Sequence, residues 1–244
     1  MNVLVFCEHN PSMDSPEGKA AYPEGLGECL AQLLREAGHT ATLLPMGEQG
    51  VQGFSDELLN SADVAFWWAH CYHGAVQSEI IDKVVDRVHR GMGMVFLHSS
   101  HLARPFLRLI GTTGFLTWRE AGERERLWCV DPTHPIAAGL GDFIDIPQEE
   151  MYGEPFGIPA PDELVYIGWF EGGEVLRGGC VFKRGRGKLF YFNPGHETYP
   201  TYKLPAVRKL LVQACEYVAP KQPVSGPLGC SHRDDFSIDR SVKK

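Results

Sequence analysis

Four short apolar runs, Val3–Cys7, Val64–Trp68, Met94–Leu97 and Lys188–Phe192, each stop abruptly at polar residues that include histidine. Glu8-His9 follows the first, His70-Cys71-Tyr72-His73 the second and His98-Ser99-Ser100-His101 the third; Asn193-Pro194-Gly195-His196-Glu197 closes the fourth. Runs this short and this uniformly apolar suit buried parallel strands. Helical spacing lies between them: Leu26, Leu30, Leu33 and Leu34 within Gly25–Ala37, and Ile80, Ile81, Val84, Val85 and Val88 within Ser78–His89. Thr40–Leu44 reads as a further strand, with short helices at Asp56–Leu59 and Leu102–Ile110. Such alternation predicts an α/β fold, a doubly wound, mainly parallel sheet with helices on both faces. The loops after parallel strands leave from one edge, where α/β proteins hold their ligands. Six of the ten histidines fall on that predicted edge.

From about Gly111 the texture changes to β-like runs at Arg126–Val130, Leu164–Gly168, Gly178–Lys183 and Lys188–Phe192. Glu171-Gly172-Gly173-Glu174 and Arg184-Gly185-Arg186-Gly187 look like hairpin connections, so antiparallel additions are expected in the C-terminal half. Ala206–Val218 supplies a closing helix. One domain over residues 1–219 is expected, followed by a polar tail over 220–244 whose composition suits disorder.

A formal charge of −8 without any basic run argues against nucleic acid or an anionic membrane as partner. No apolar stretch reaches the roughly 18–20 residues of a membrane span, and the chain opens directly on a strand, so no secretory signal is expected. Seven scattered cysteines without C-x-x-C spacing suit reduced thiols in a cytoplasm.

His70, His98 and His196, joined by a carboxylate from Glu149 or Glu150, would make a site for a divalent metal such as zinc. The same groups could instead perform acid–base work on a hydroxylated substrate. Against this, a lone histidine at a strand end is most simply a hydrogen-bonded structural residue; four such ends with histidine favour a shared pocket. His39, His89, His134 and His232 read as exposed or turn residues. The G-x-S-x-G pattern is absent around Ser99, so a strained nucleophile elbow is not expected and Ser99 reads as a supporting hydrogen bonder. Cys71, flanked by imidazoles, is a candidate reactive thiol. The run Trp118–Arg126 reads first as a solvated, salt-bridged surface, although arginine forks and tryptophan faces also bind sugars. Trp118 and Tyr152 would suit a sugar platform or a dimer interface, and a homo-oligomer is expected.

The motifs Trp67-Trp68-Ala69-His70, His98-Ser99-Ser100-His101, Trp118-Arg119-Glu120, Glu149-Glu150-Met151-Tyr152-Gly153 and Asn193-Pro194-Gly195-His196-Glu197-Thr198-Tyr199-Pro200 resemble the ThuA-like, trehalose-utilisation family over residues 2–219. The resemblance implies a class I glutamine amidotransferase-like, flavodoxin-like fold. It also implies catabolism of trehalose or a related keto-disaccharide, with no nucleotide cofactor. The parent fold places a cysteine after the fourth strand and a His-x-Glu pair late in the chain. Here Ser99 falls roughly at the cysteine and His196-Glu197 are adjacent, which speaks against glutaminase activity. The expected catalytic residues are His98, His196, Glu150 and Ser99. Expected sugar contacts are Trp118, Arg119, Tyr152, His73, His101 and Glu197; expected metal ligands are His70, His98 and His196. A non-catalytic sugar-binding or regulatory protein, and a hydrolase using Ser99 or Cys71, are the alternatives.

Overall fold

The computed structural model describes residues 1–224 and residue 226; most of the expected 220–244 tail, including His232, lies outside the described residues. In chain order the strands are β1 (Asn2–Glu8), β2 (Thr40–Gly47), β3 (Gly50–Val51), β4 (Val64–Trp68), β5 (Gly93–Leu97), β6 (Thr117–Cys129), β7 (Phe143–Gly153), β8 (Glu163–Phe170), β9 (Val175–Arg184) and β10 (Gly187–Phe192). The helices are α1 (Pro16–Ala21), α2 (Leu26–Glu36), α3 (Asp56–Ser61), α4 (Ser78–Arg90), α5 (Arg104–Ile110) and α6 (Pro205–Val218).

All ten strands join in one sheet, ordered β3-β2-β1-β4-β5-β10-β9-β8-β6-β7. β2, β1, β4, β5 and β10 run parallel, while β9, β8, β6 and β7 extend the sheet in antiparallel fashion. The alternating pleat explains why the central runs are apolar throughout. Val3, Val5, Val64, Phe66, Trp68, Val95, Leu97, Phe190 and Phe192 face the core that contains α2 and α6. Leu4, Phe6, Ala65, Trp67, Met94, Phe96, Leu189 and Tyr191 face the opposite core, with α4 and α5. Each central strand is therefore dry on both sides.

The antiparallel region departs from expectation. Trp118–Arg126 is not merely a solvated surface run: it lies within β6, which pairs with β7 on one side and β8 on the other. β7, which shows no continuous apolar run, carries Glu149 and Glu150 inward at its far end, both buried. His134 is also buried rather than exposed, although it keeps a turn role by accepting the Ile136 N–H.

Candidate functional site

The loops after β1, β4, β5 and β10 converge at the carboxyl edge of the parallel sheet. There His70, His98, Glu150 and His196 each bring one ligand-type atom within 4.8 Å of the other three. The three imidazoles stand edge to face, with ring centroids 5.1, 5.1 and 5.4 Å apart.

β5 delivers His98 through a sharp turn. His98 has φ of +54° and is the one non-glycine at positive φ among the described residues. For an L-residue this conformation costs on the order of 1–2 kcal/mol, so its surroundings must hold it. Its ring lies between Trp68 and Tyr152, nearly parallel to both at 6.1 and 5.2 Å. Nδ1 sits 3.2 Å from the Asn193 carbonyl, which only accepts, so this nitrogen carries a proton. Nε2 is 3.2 Å from Glu150 Oε2. The strained elbow therefore exists despite the missing glycines, and its occupant is His98, not Ser99. Ser99 shares a short hydrogen bond with the Tyr152 hydroxyl, and Ser100 donates to the Trp67 carbonyl.

His70 is held twice. Glu8, buried at the end of β1, accepts the N–H groups of His70, Cys71 and Tyr72 at 3.2, 2.6 and 2.9 Å, which anchors the loop. Glu197 sets both oxygens 3.0 and 2.9 Å from His70 Nδ1, leaving Nε2 for the cluster.

His196 is positioned by the other member of the glutamate pair. Glu149 accepts the N–H groups of Gly195 and His196 at 2.7 and 3.0 Å and the Thr201 hydroxyl at 2.8 Å. Gly195 has φ of +127°, and a Cβ there would overlap the Tyr202 hydroxyl, so this turn requires glycine. Thr198 donates its N–H to His196 Nδ1, with its hydroxyl 2.8 Å from the same atom.

The electrostatics follow from burial and these partners. Burial opposes charge on both His98 and Glu150, but their mutual contact prevails: the imidazole is raised above its ordinary pKa and the carboxyl is lowered. Glu197, despite its burial, is drawn down to about 2 by the His70 hydrogen bond. Burial, reinforced by the charge of His98, pushes His196 down to about 4. Cys71 is exposed, yet partial desolvation of its sulfur, with Glu8 and Glu197 adding to the effect, raises the thiol to about 11.

A cavity of about 200 Å³ opens onto the cluster, lined by His70, Ser99, His101, Leu102, Trp118, Glu150 and Tyr152. Trp118 stands at it 66% exposed. Tyr152 also lines it, but as a buried wall and not as a surface aromatic. His101 reaches the cavity with Nδ1 bound to the Gly114 carbonyl. Three expected sugar contacts are placed elsewhere. Glu197 is fully buried behind His70. Arg119 spends its guanidinium on Glu123 and Glu174. His73 does not line the cavity, and burial pushes its imidazole down to about 4. A larger cavity of about 460 Å³, between the end of β1 and α2, meets the site only through Glu8 and Glu197.

The donor set fits a zinc-type ion. Three imidazoles and a carboxylate are such a metal's ligands, and two of the rings have Nδ1 oriented by an acceptor, as metal-binding histidines usually do. Glu150 Oε2 is buried and makes no hydrogen bond of good geometry, so its lone pairs remain available. His196 Nδ1 accepts the Thr198 N–H, so to offer Nε2 the ring would have to give up that contact and carry its proton on Nδ1, toward the Thr198 hydroxyl.

The family profile for ThuA, trehalose utilisation, matches residues 2–218. The fold is similar to a ThuA-like protein from Parabacteroides merdae, with TM-score 0.67, 15% identity, and 91% of this chain and 92% of that chain covered. A cytoplasmic protein from Salmonella typhimurium gives TM-score 0.60 at 13% identity, covering 91% of this chain and 100% of its own. PurLQS from Thermotoga maritima gives 0.52 at 12% identity, with 89% and 99% covered, which supports the amidotransferase-like fold. No curated protein matches the sequence.

Proposed function

The chain belongs to the ThuA, trehalose-utilisation family, and from that premise we propose that it is a cytoplasmic sugar-catabolism enzyme acting on trehalose or a related keto-disaccharide. The reaction centre is His70, His98, Glu150 and His196, and these four residues would hold a divalent metal such as zinc. One observation carries the reading: four ligand-type atoms lie within 4.8 Å of one another although they come from four separate segments of the chain. When bound, such a metal polarises a carbonyl or a hydroxyl oxygen. Trp118 offers a face for a pyranose ring at the cavity mouth, and the Ser99–Tyr152 pair offers hydroxyls to orient it. Without a metal, Glu150, held as a carboxylate beside His98 and lining the cavity, would be the proton acceptor.

The exposed aromatics Trp128, Phe143 and Trp169 on the outer strands are consistent with a homo-oligomer. A non-catalytic sugar-binding role is the second reading, favoured by the absence of a thiol or free hydroxyl at the His98 elbow.

Elemental analysis of the purified protein, with turnover of trehalose and 3-keto-trehalose before and after chelation, tests the assignment. About one metal per chain and activity restored by zinc are expected. Full activity in metal-free protein would end the metal assignment. Tight sugar binding without product would favour the second reading.

A further inference from the structure

The turn that delivers His98 delivers a second imidazole. His98–Leu102 is a short 3-10 helix, and with three residues per turn its positions i and i+3 eclipse. The spacing of His98-Ser99-Ser100-His101 therefore brings both rings to Tyr152. That ring lies nearly flat against His98, at 5.2 Å and 14°, and meets His101 edge-on, at 5.3 Å and 82°. His98 enters the cluster, whereas His101 forms part of the wall of the adjoining cavity.

His101 is held in one sense. Gly114 has φ of +65°, and a Cβ there would overlap the His101 carbonyl oxygen, so only glycine lets this loop come so close. The Gly114 N–H donates to the Gly157 carbonyl at 2.8 Å, and its own carbonyl stands 2.7 Å from His101 Nδ1. A carbonyl only accepts, so the ring carries its proton on Nδ1 and keeps a lone pair on Nε2. Phe156 and Tyr191 pack edge-on against the same ring. Burial pushes the imidazole down to about 3, which keeps it neutral. Among the described residues no protein donor meets Nε2, although His101 is only 4% exposed. A buried acceptor without a donor needs an explanation, and a ligand hydroxyl supplies one. The Ser99 and Tyr152 hydroxyls are less particular, since each can give or take a hydrogen bond.

We propose that His101 Nε2 accepts a hydrogen bond from a sugar hydroxyl inside the cavity and so decides which ring position enters, an inference that rests on the sugar-enzyme reading above. A free O–H at that position supplies the missing donor. A carbonyl oxygen or an ether there would set acceptor against acceptor. The keto carbon of an oxidised sugar therefore turns away from His101 and toward the cluster. A site built to bond a hydroxyl rejects ligands lacking it far better than an apolar pocket rejects a missing methylene.

Calorimetric titration of the protein as purified tests this. Trehalose is compared with analogues in which one hydroxyl is replaced by hydrogen or by fluorine, on both rings because the disaccharide is symmetric. At one ring position both replacements should weaken binding about 10- to 100-fold, the cost of a buried acceptor left without its donor. Fluorine fails there because it cannot donate. His101→Phe keeps a ring and His101→Asn keeps a donor for the Gly114 carbonyl, but both lack Nε2. In each variant trehalose and the two analogues should bind within about twofold of one another, while losses at other ring positions persist. A fluorine analogue that binds like trehalose where the hydrogen analogue fails would mean that the protein donates there. That result needs no variant, and it would overturn the proposal while leaving the reaction centre standing. A position-specific loss that persists in both His101 variants would do the same, as would trehalose binding without any position-specific loss. Wild-type protein that neither binds nor turns over trehalose and 3-keto-trehalose would remove the sugar reading and this inference together.

Discussion

Glu197 places both carboxylate oxygens on Nδ1 of His70, at 3.0 and 2.9 Å, and is itself fully buried. A charged acceptor in that position fixes the ring's orientation and leaves its other nitrogen basic. Two residues adjacent in sequence, His196 and Glu197, thus serve the cluster in different ways: one belongs to it and the other supports a different histidine.

Glu197→Gln should therefore weaken zinc binding about 10- to 100-fold while the cluster residues remain in place. Competition with a calibrated chelator measures it. Unchanged zinc affinity would mean that His70 is not a ligand or needs no orientation.

Glu149 and Glu150 should separate cleanly on substitution. Glu149→Ala strands the N–H groups of Gly195 and His196 and the Thr201 hydroxyl in a dry site, which should cost about 3 kcal/mol or more. Glu150→Gln gives up only the one contact with buried His98, which should cost about 1–2 kcal/mol, less than Glu149→Ala, yet abolish turnover. Urea unfolding midpoints distinguish the two, and a reversed order would refute the division of labour.

Trp118→Ala should leave stability within about 0.5 kcal/mol, as expected of an exposed side chain. Loss of the stacking face should weaken sugar binding about tenfold, equivalent to ~1.4 kcal/mol. Calorimetric titration with trehalose or its 3-keto derivative checks this; equal affinity would take Trp118 out of the binding site.

Far from the site, Glu163 gathers Lys183, Tyr217 and His134 around one carboxylate. Partial burial opposes ionisation, but these hydrogen bonds hold its pKa down to about 2, below the ordinary 4.5. A depressed carboxylate stabilises the fold above its unfolded pKa. That contribution should therefore be whole at neutral pH and disappear as the pH falls from about 4.5 through about 2. Thermal melts over that interval should fall less steeply for Glu163→Gln than for wild type, and parallel curves would contradict the assignment.

Much of this was legible in the chain. The central strands announce themselves because a sheet covered on both faces demands apolar residues at every position, as in Val64–Trp68 and Gly93–Leu97. β6 and the inner end of β7 were not legible. In β6 Arg124 and Arg126 pair with Asp145 on β7 while Arg119 pairs with Glu123 on its own strand, so the charged run carries no apolar strand signal. The buried glutamates look like surface residues until the N–H groups that satisfy them are known. Glu8 illustrates the point: it ends β1 with the same grammar as the histidines, yet its carboxylate accepts backbone N–H groups and does not join the cluster.

The sequence by itself determined a parallel sheet, and that histidines would stand where its strands end. The tertiary structure alone decided which of them meet, because His70, His98, Glu150 and His196 are joined only through strand order and register, set by hydrogen bonds between distant segments. It also decided what each carboxylate does. A buried charge takes its role from the donors around it, and those donors come from parts of the chain that no local pattern connects.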